Sequence, residues 1–156
     1  MSNPVRIGYR YESVQLVDNA KEGLSKGKIE LICEIDISNR GTYTYTYYDF
    51  VDRRPNMLIG QTDEEYFWKF NGAMQEQLFD PLFAKNLQNK LVDEYSSQVE
   101  RVTFCRFYED DLKEQKAVFV YDDYNHWQEV PQIIRLTRLV FDGCLEEIRE
   151  LALRGK

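Results

Sequence analysis

Most residue patterns that signal site chemistry are missing from this 156-residue chain. There is one histidine, His126, so no site draws on two imidazoles and no H-E-x-x-H helix exists. A Ser-His-Asp or Cys-His pair would depend on that single ring, and no G-x-S-x-G elbow precedes it. The three cysteines, Cys33, Cys105 and Cys144, are odd in number and far apart. They form no C-x-x-C pair that would pre-organise a metal and no disulfide framework. Each lies in an apolar pattern and reads as a small buried hydrophobe. No G-x-G-x-x-G is present for a dinucleotide. Residues 23–28, Gly-Leu-Ser-Lys-Gly-Lys, fall one residue short of a phosphate-binding loop, and Ile29 stands where Ser or Thr would meet magnesium. A strand pattern follows them, not the helix whose N-terminus would hold the phosphate. No cofactor and no metal site is expected.

Charge of one sign is also in short supply. Twenty Lys and Arg stand against 27 Asp and Glu, a net charge of −7, with no basic tail or lobe to neutralise phosphates. A nucleic-acid partner is therefore disfavoured. An acidic surface keeps a protein soluble, and it also suits a basic protein partner. No apolar run approaches the roughly 20 residues of a membrane span. The opening Met-Ser-Asn-Pro-Val-Arg lacks the apolar region of a signal peptide, so the expectation is a cytoplasmic protein away from membranes.

The chain does have ample apolar and aromatic material, 43% and 14% of residues, with eleven tyrosines and nine phenylalanines. At this length it is expected to form one domain over 1–156, burying roughly 70% of its unfolded surface. Residues 5–11 alternate, with Val5, Ile7, Tyr9 and Tyr11 on one side, and the phase slips near Ser13, which predicts a bulge. Residues 29–37 alternate most clearly: Ile29, Leu31, Cys33, Ile35 and Ile37 oppose Glu30, Glu34 and Asp36. Ser38-Asn39-Arg40-Gly41 then supplies a hairpin turn, and 42–48 alternates Thr with Tyr, a β-prone composition. Residues 52–60, with Arg53-Arg54-Pro55-Asn56, read as a loop.

Thr62 and Glu65 have the spacing of a capping box, followed by a helical stripe of Phe67, Phe70, Met74 and Leu78. Asp80-Pro81 starts a second helix that Phe83, Leu87, Leu91 and Tyr95 carry to about residue 97. Residues 102–108 and 117–121 form a second hairpin around the charged turn 109–115. Pro131 opens a long final helix with Ile133, Leu136, Val140, Cys144, Ile148 and Leu151 on one side and Ile134, Phe141 and Leu145 widening it. The fold class is α+β: a two-layer sandwich with a mainly antiparallel sheet of about five strands, in the order β-β-β-α-α-β-β-α, and the C-terminal helix packed on it.

Two groups of residues carry functional expectations. Tyr43, Tyr45 and Tyr47 share one strand face, and Tyr9 and Tyr11 share another; on neighbouring strands the rings would make a continuous aromatic surface. Phenols combine contact area with a hydrogen-bonding tip, and Arg53, Arg54 and His126-Trp127 would extend the surface. Alternatively, the same rings are the packed face of the sheet. The second group is Asp111, Glu114 and Lys116, with Asp36 as a substitute carboxylate, resembling the spacing by which Mg²⁺-dependent nucleases hold a metal and an attacking water. Asp111 lies in the same turn as Glu114 rather than on a separate strand, and charged turns are ordinarily just solvated.

The resulting expectation is a non-enzymatic protein-binding module. Small inhibitors, immunity-type proteins and phage or mobile-element antagonists share this acidic, tyrosine-rich composition. Such a protein would mask a partner, with carboxylates steering a basic surface and rings anchoring it. The alternatives are a Mg²⁺-dependent nuclease or phosphodiesterase using Asp111, Glu114 and Lys116, and a domain holding a small ligand between the sheet and the final helix. The wide apolar face of that helix also permits a homodimer.

Overall fold

The computed structural model describes residues 3–16, 26–87, 91–93, 96–109 and 113–155. Six antiparallel strands form one sheet: β1 (Pro4–Leu16), β2 (Lys26–Ser38), β3 (Thr42–Asp49), β4 (Arg54–Gln61), β5 (Gln98–Tyr108) and β6 (Glu114–Tyr121). Their spatial order is β4-β3-β2-β1-β5-β6, so the N-terminal strand is central. Three helices, α1 (Glu64–Ala73), α2 (Pro81–Leu87) and α3 (Gln132–Arg154), with a 3₁₀ turn at Glu76–Phe79, complete the α+β fold. Among the described residues no helix is long and apolar enough to cross a membrane.

The sheet has six strands where about five are expected, because residues 54–61 pair along β3 instead of forming a loop. Arg-Arg-Pro-Asn is turn chemistry, but only its first residue, Arg53, lies in the turn. Pro55 stands opposite Tyr48 on an edge strand, where a missing N–H is tolerated. The β2–β3 hairpin forms as the sequence predicts, with Gly41 at φ +88 and its N–H donating to Ser38 O at 2.9 Å. A side chain at Gly41 would collide with the Thr62 carbonyl, which faces it across the start of the helical connection. The bulge expected near Ser13 appears as a register shift between Tyr11 and Glu12 against β2, while β1 runs unbroken along β5 there.

From β4 the chain must reach β5, four strand spacings or about 19 Å away. Helix α1, about 15 Å long at 1.5 Å per residue, covers most of that distance beneath the sheet. Its N-cap is Asp63, whose carboxylate accepts from Glu65 N; the Thr62–Glu65 capping box does not form. Buried Arg106 on β5 receives the other end. Its Nη1 donates to Asn71 Oδ1 at 2.9 Å and to Met74 O at 3.2 Å, Nη2 to Glu76 at 2.9 Å and Nε to Gln115 at 2.9 Å. A helix C-terminus with unsatisfied carbonyls is thereby joined to the sheet. Asp80 caps α2 through Leu82 N, as predicted, and the helix is described as far as Leu87, with residues 88–90 outside the described residues. Residues 91–93 are already irregular and Tyr95 lies outside the described residues.

Helix α3 crosses the inner face antiparallel to α1, with Thr137 Oγ1 reaching Ala73 O at 3.2 Å. Its buried stripe is Ile134, Thr137, Phe141, Cys144, Leu145 and Ile148. The stripe read from sequence is rotated from this one, because Leu136, Val140 and Leu151 are exposed. Phe141 stacks on Tyr9 (4.6 Å between centroids) and on Phe70 (4.4 Å), and packs obliquely on Phe104 (5.8 Å). Three elements thus meet on one ring.

Phe141→Ala is expected to destabilise the protein by about 3–5 kcal/mol, the range for emptying an aromatic core site. Val118→Ala, on the opposite face of the sheet, is expected to change stability by less than about 1 kcal/mol. Urea denaturation of both variants checks this ordering.

Candidate functional site

The five tyrosines do not share one surface. Tyr43, Tyr45 and Tyr47 line β3 and Tyr9 and Tyr11 line β1, but β2 lies between those strands, placing Ile35 between Tyr45 and Tyr9. All five point to the helical side. Tyr9, Tyr43, Tyr45 and Tyr47 retain between 1% and 7% of their exposure and belong to the core, with Tyr11 packed at its margin. Burial is the physical reason: α3 needs an apolar surface beneath it, and alternating tyrosines provide one. Burial also drives the Tyr9, Tyr11 and Tyr45 phenols well above their ordinary pKa and raises the Cys33 thiol to about 12.

Where the rings end, α3 brings in a cation. Arg138 Nη1 donates to Tyr121 Oη at 2.6 Å and Nε to Tyr9 Oη at 3.3 Å, and its guanidinium lies 4.0 Å over the Tyr11 ring. Tyr9 Oη donates to Asp142 Oδ1 at 3.1 Å. Glu100 of β5 closes the cluster, hydrogen-bonded by Tyr11, with its Oε2 buried and without a hydrogen-bond partner among the described residues. About three turns further along α3, Arg149 lies 4.3 Å over the Tyr47 ring. These contacts hold the edge of the helix to the sheet; the phenols are partners of guanidinium groups of the same chain.

Arg53 and Arg54 are exposed at the β3–β4 hairpin, whereas Trp127 follows β6. Four strands separate these two edges, so Trp127 does not extend the arginine patch. Trp127 instead packs under Arg135, 5.5 Å from its ring. Next to it, His126 Nε2 lies 2.6 Å from Asp93 Oδ2, and this contact raises the histidine pKa. Ser96 Oγ donates to Asp122 Oδ2 at 2.8 Å, and among the described residues no hydroxyl is hydrogen-bonded to the histidine ring. Asp122 also accepts from the backbone N–H groups of Tyr124 and Asn125, and the assembly pins two connections together.

Glu114 and Lys116 are exposed on β6, and Asp111 lies outside the described residues. Lys116 stands in one cross-strand row with Cys105, Gly8 and Asp36, three strand spacings or about 14 Å from the carboxylate. Glu114 lies two residues further along β6, so the two carboxylates are too far apart for one metal ion to join them. Among the described residues no group of three carboxylate, thiol or imidazole side chains is placed to hold a metal ion.

Among the described residues the outer face of the sheet carries no helix, and most of its charges are paired. Arg10 bridges Glu34 (2.7 Å) and Glu12 (3.2 Å), Arg101 grips Glu12 with both nitrogens (2.8 and 2.9 Å), and Arg6 pairs with Asp36 (3.5 Å). Burial alone would raise the Glu12 pKa, but Arg101 and Arg10 hold it below the ordinary carboxylate value. Apolar exposure lies on α3, at Leu136, Leu139, Val140, Leu151 and Leu153, and, where sequence reasoning missed it, on the β3–β4 hairpin. Val51 and Phe50 at its tip are 91% and 71% exposed, and Ile59 and Met57 along β4 are 75% and 61% exposed. The tip turns through Arg53 at φ +56, a left-handed conformation for a side chain that does not favour it. The sequence signal was the run Met57-Leu58-Ile59, apolar on both faces of a strand with only one face to bury. A cavity of ≈ 290 Å³ lies at the other end of this hairpin, lined by Tyr43, Gln61, Thr62, Asp63, Ile148, Leu151 and Ala152.

The Glu100 carboxyl is raised above its ordinary pKa, chiefly by burial, against the Tyr11 hydrogen bond and Arg138. Between the ordinary and the raised value the folded state binds more protons than the unfolded one. The stabilisation is therefore full below that window and is lost as pH rises through it. Glu100→Gln is expected to raise stability at neutral pH and leave it little changed in mild acid. Denaturant titrations at the two pH values test this, and equal destabilisation at both would contradict it.

Comparison with protein-family models finds no match along the chain, and comparison with curated proteins finds none similar to it.

Proposed function

We propose that this chain is a non-enzymatic protein-binding module of the inhibitor or immunity type, which masks a partner protein through the β3–β4 hairpin. The observation that carries the reading is the exposed tip: Phe50 and Val51, with Arg53 and Arg54 beside them. Aromatic and arginine side chains dominate binding energy at protein interfaces, and apolar groups this exposed are stabilised when a partner removes them from water. Phe50 makes an edge contact with Tyr48 (4.9 Å), so the ring is held in place before binding and loses little entropy on docking. The net charge of −7 steers a basic partner from a distance, while the matched ion pairs of the outer sheet face leave that surface locally neutral.

Immobilised protein incubated with native extract is expected to retain one protein in stoichiometric amount, and a Phe50→Ser, Val51→Ser double variant is expected to lose it. Equal retention by both, or no stoichiometric protein on either, would overturn the proposal. Arg53→Gly separates fold from function. Relief of the left-handed strain, offset by glycine's greater unfolded freedom, is expected to stabilise the fold by roughly 0.5–1 kcal/mol. The same substitution is expected to weaken partner retention.

A further inference from the structure

The two edges of the sheet are protected differently. Edge strand β6 begins with Glu114 and Lys116, charged groups that discourage another strand from pairing with it. Edge strand β4 is regular over its full length, without a bulge, and its middle is Met57-Leu58-Ile59. Pro55 opposes Tyr48 and has no N–H to give it, so theirs is a pair of the non-hydrogen-bonded kind. Alternation along an antiparallel ladder then turns the N–H and C=O of Met57 and Ile59 away from β3, toward the open edge. The residues that present backbone groups at the edge are thus the same ones whose apolar side chains are exposed on the outer face.

We infer that β4 pairs antiparallel with β4 of a second copy of this chain, making one sheet continuous across a two-fold axis. Charge distribution selects this occupant. Asp52, Arg53 and Arg54 leave one end of β4 with a net charge of +1, while Asp63, Glu64 and Glu65 give −3 at the other end. An antiparallel partner of identical sequence sets each basic end against the other copy's acidic end, and a parallel one would set like against like. With Leu58 on the two-fold axis, Met57 of one copy faces Ile59 of the other. Arg54 then faces Thr62, beside Asp63 and the cavity that both residues line. The interface is self-complementary, as two-fold symmetry requires. It leaves Phe50 and Val51 at the hairpin tip free, so this inference does not rest on the proposed partner-binding role and extends beyond it.

Light scattering and sedimentation of the intact chain over a range of concentrations test the assignment. The expected mass is twice the 18.6 kDa of one chain. Ile59→Pro removes an N–H that points outward from an edge strand, so the monomer fold is expected to survive, as circular dichroism would report, while the mass falls by half. Ile59→Lys is expected to do the same without a backbone change. Arg54→Glu, which sets a carboxylate beside Asp63 of the other copy, is expected to weaken association. Leu139→Lys, on the exposed face of α3, is expected to leave the dimer intact. A wild-type protein that is monomeric at every concentration overturns the inference. A dimer that survives both Ile59 substitutions, or one lost with Leu139→Lys, overturns it equally.

Discussion

Phe141 is the contact on which the arrangement of the other elements depends. It extends from the middle of α3 and stacks on Tyr9 of the central strand and Phe70 of α1, with Phe104 of β5 against it. Because those rings belong to elements far apart in the chain, the helix has one available position across the sheet. That position decides which strand faces are core. It seals Tyr9, Tyr43 and Tyr45 beneath it and places Arg138 and Arg149 over the rings at its margin, on Tyr11 and Tyr47.

Covering one face leaves the other to be stabilised by different means. On the outer face the arginines of β1 and β5 neutralise the carboxylates of β1 and β2, so the sheet meets water as a lattice of ion pairs and threonines. The exposed Arg6–Asp36 and Arg10–Glu34 pairs contribute little individually, and the consequence of the lattice is a surface without strong charge of either sign. The chain's acidic excess therefore lies off this lattice. What interrupts it is the β3–β4 hairpin, whose tip and edge carry apolar side chains that the core does not use. One hairpin thus presents two separable surfaces, a tip suited to a partner and an edge suited to a second copy.

Polar groups under the helices show how close the packing is to conflict. Each nitrogen of Arg106 has a hydrogen-bond partner, and the side chain joins α1, the 3₁₀ turn, β5 and β6. Glu100 differs, since one of its oxygens is buried without a partner among the described residues. The two cases follow from geometry. A guanidinium at the C-terminus of α1 meets carbonyls that lack donors, whereas a carboxylate beside Asp123 and Arg138 has one cation to share with several acceptors.

The alternation of apolar residues was sufficient to identify β1, β2, β3 and the second hairpin, because a strand with one wet face must repeat every two residues. The α+β class follows from that order, as do the caps at Asp80 and the turn at Gly41, which depend only on neighbouring atoms. Strand β4 was not legible, since Pro55 and two arginines resemble a turn and Met57-Leu58-Ile59 does not alternate. The phase of α3 was off by part of a turn, because an apolar arc broader than the contact does not say which of its edges is exposed. Whether the tyrosines face a partner or the core was open in the same way. A side chain's parity is a local property, but the layer it faces depends on where a helix more than eighty residues away comes to rest. Packing against Phe141 decided that, and in doing so moved the exposed apolar surface from the tyrosine strand to the hairpin beside it.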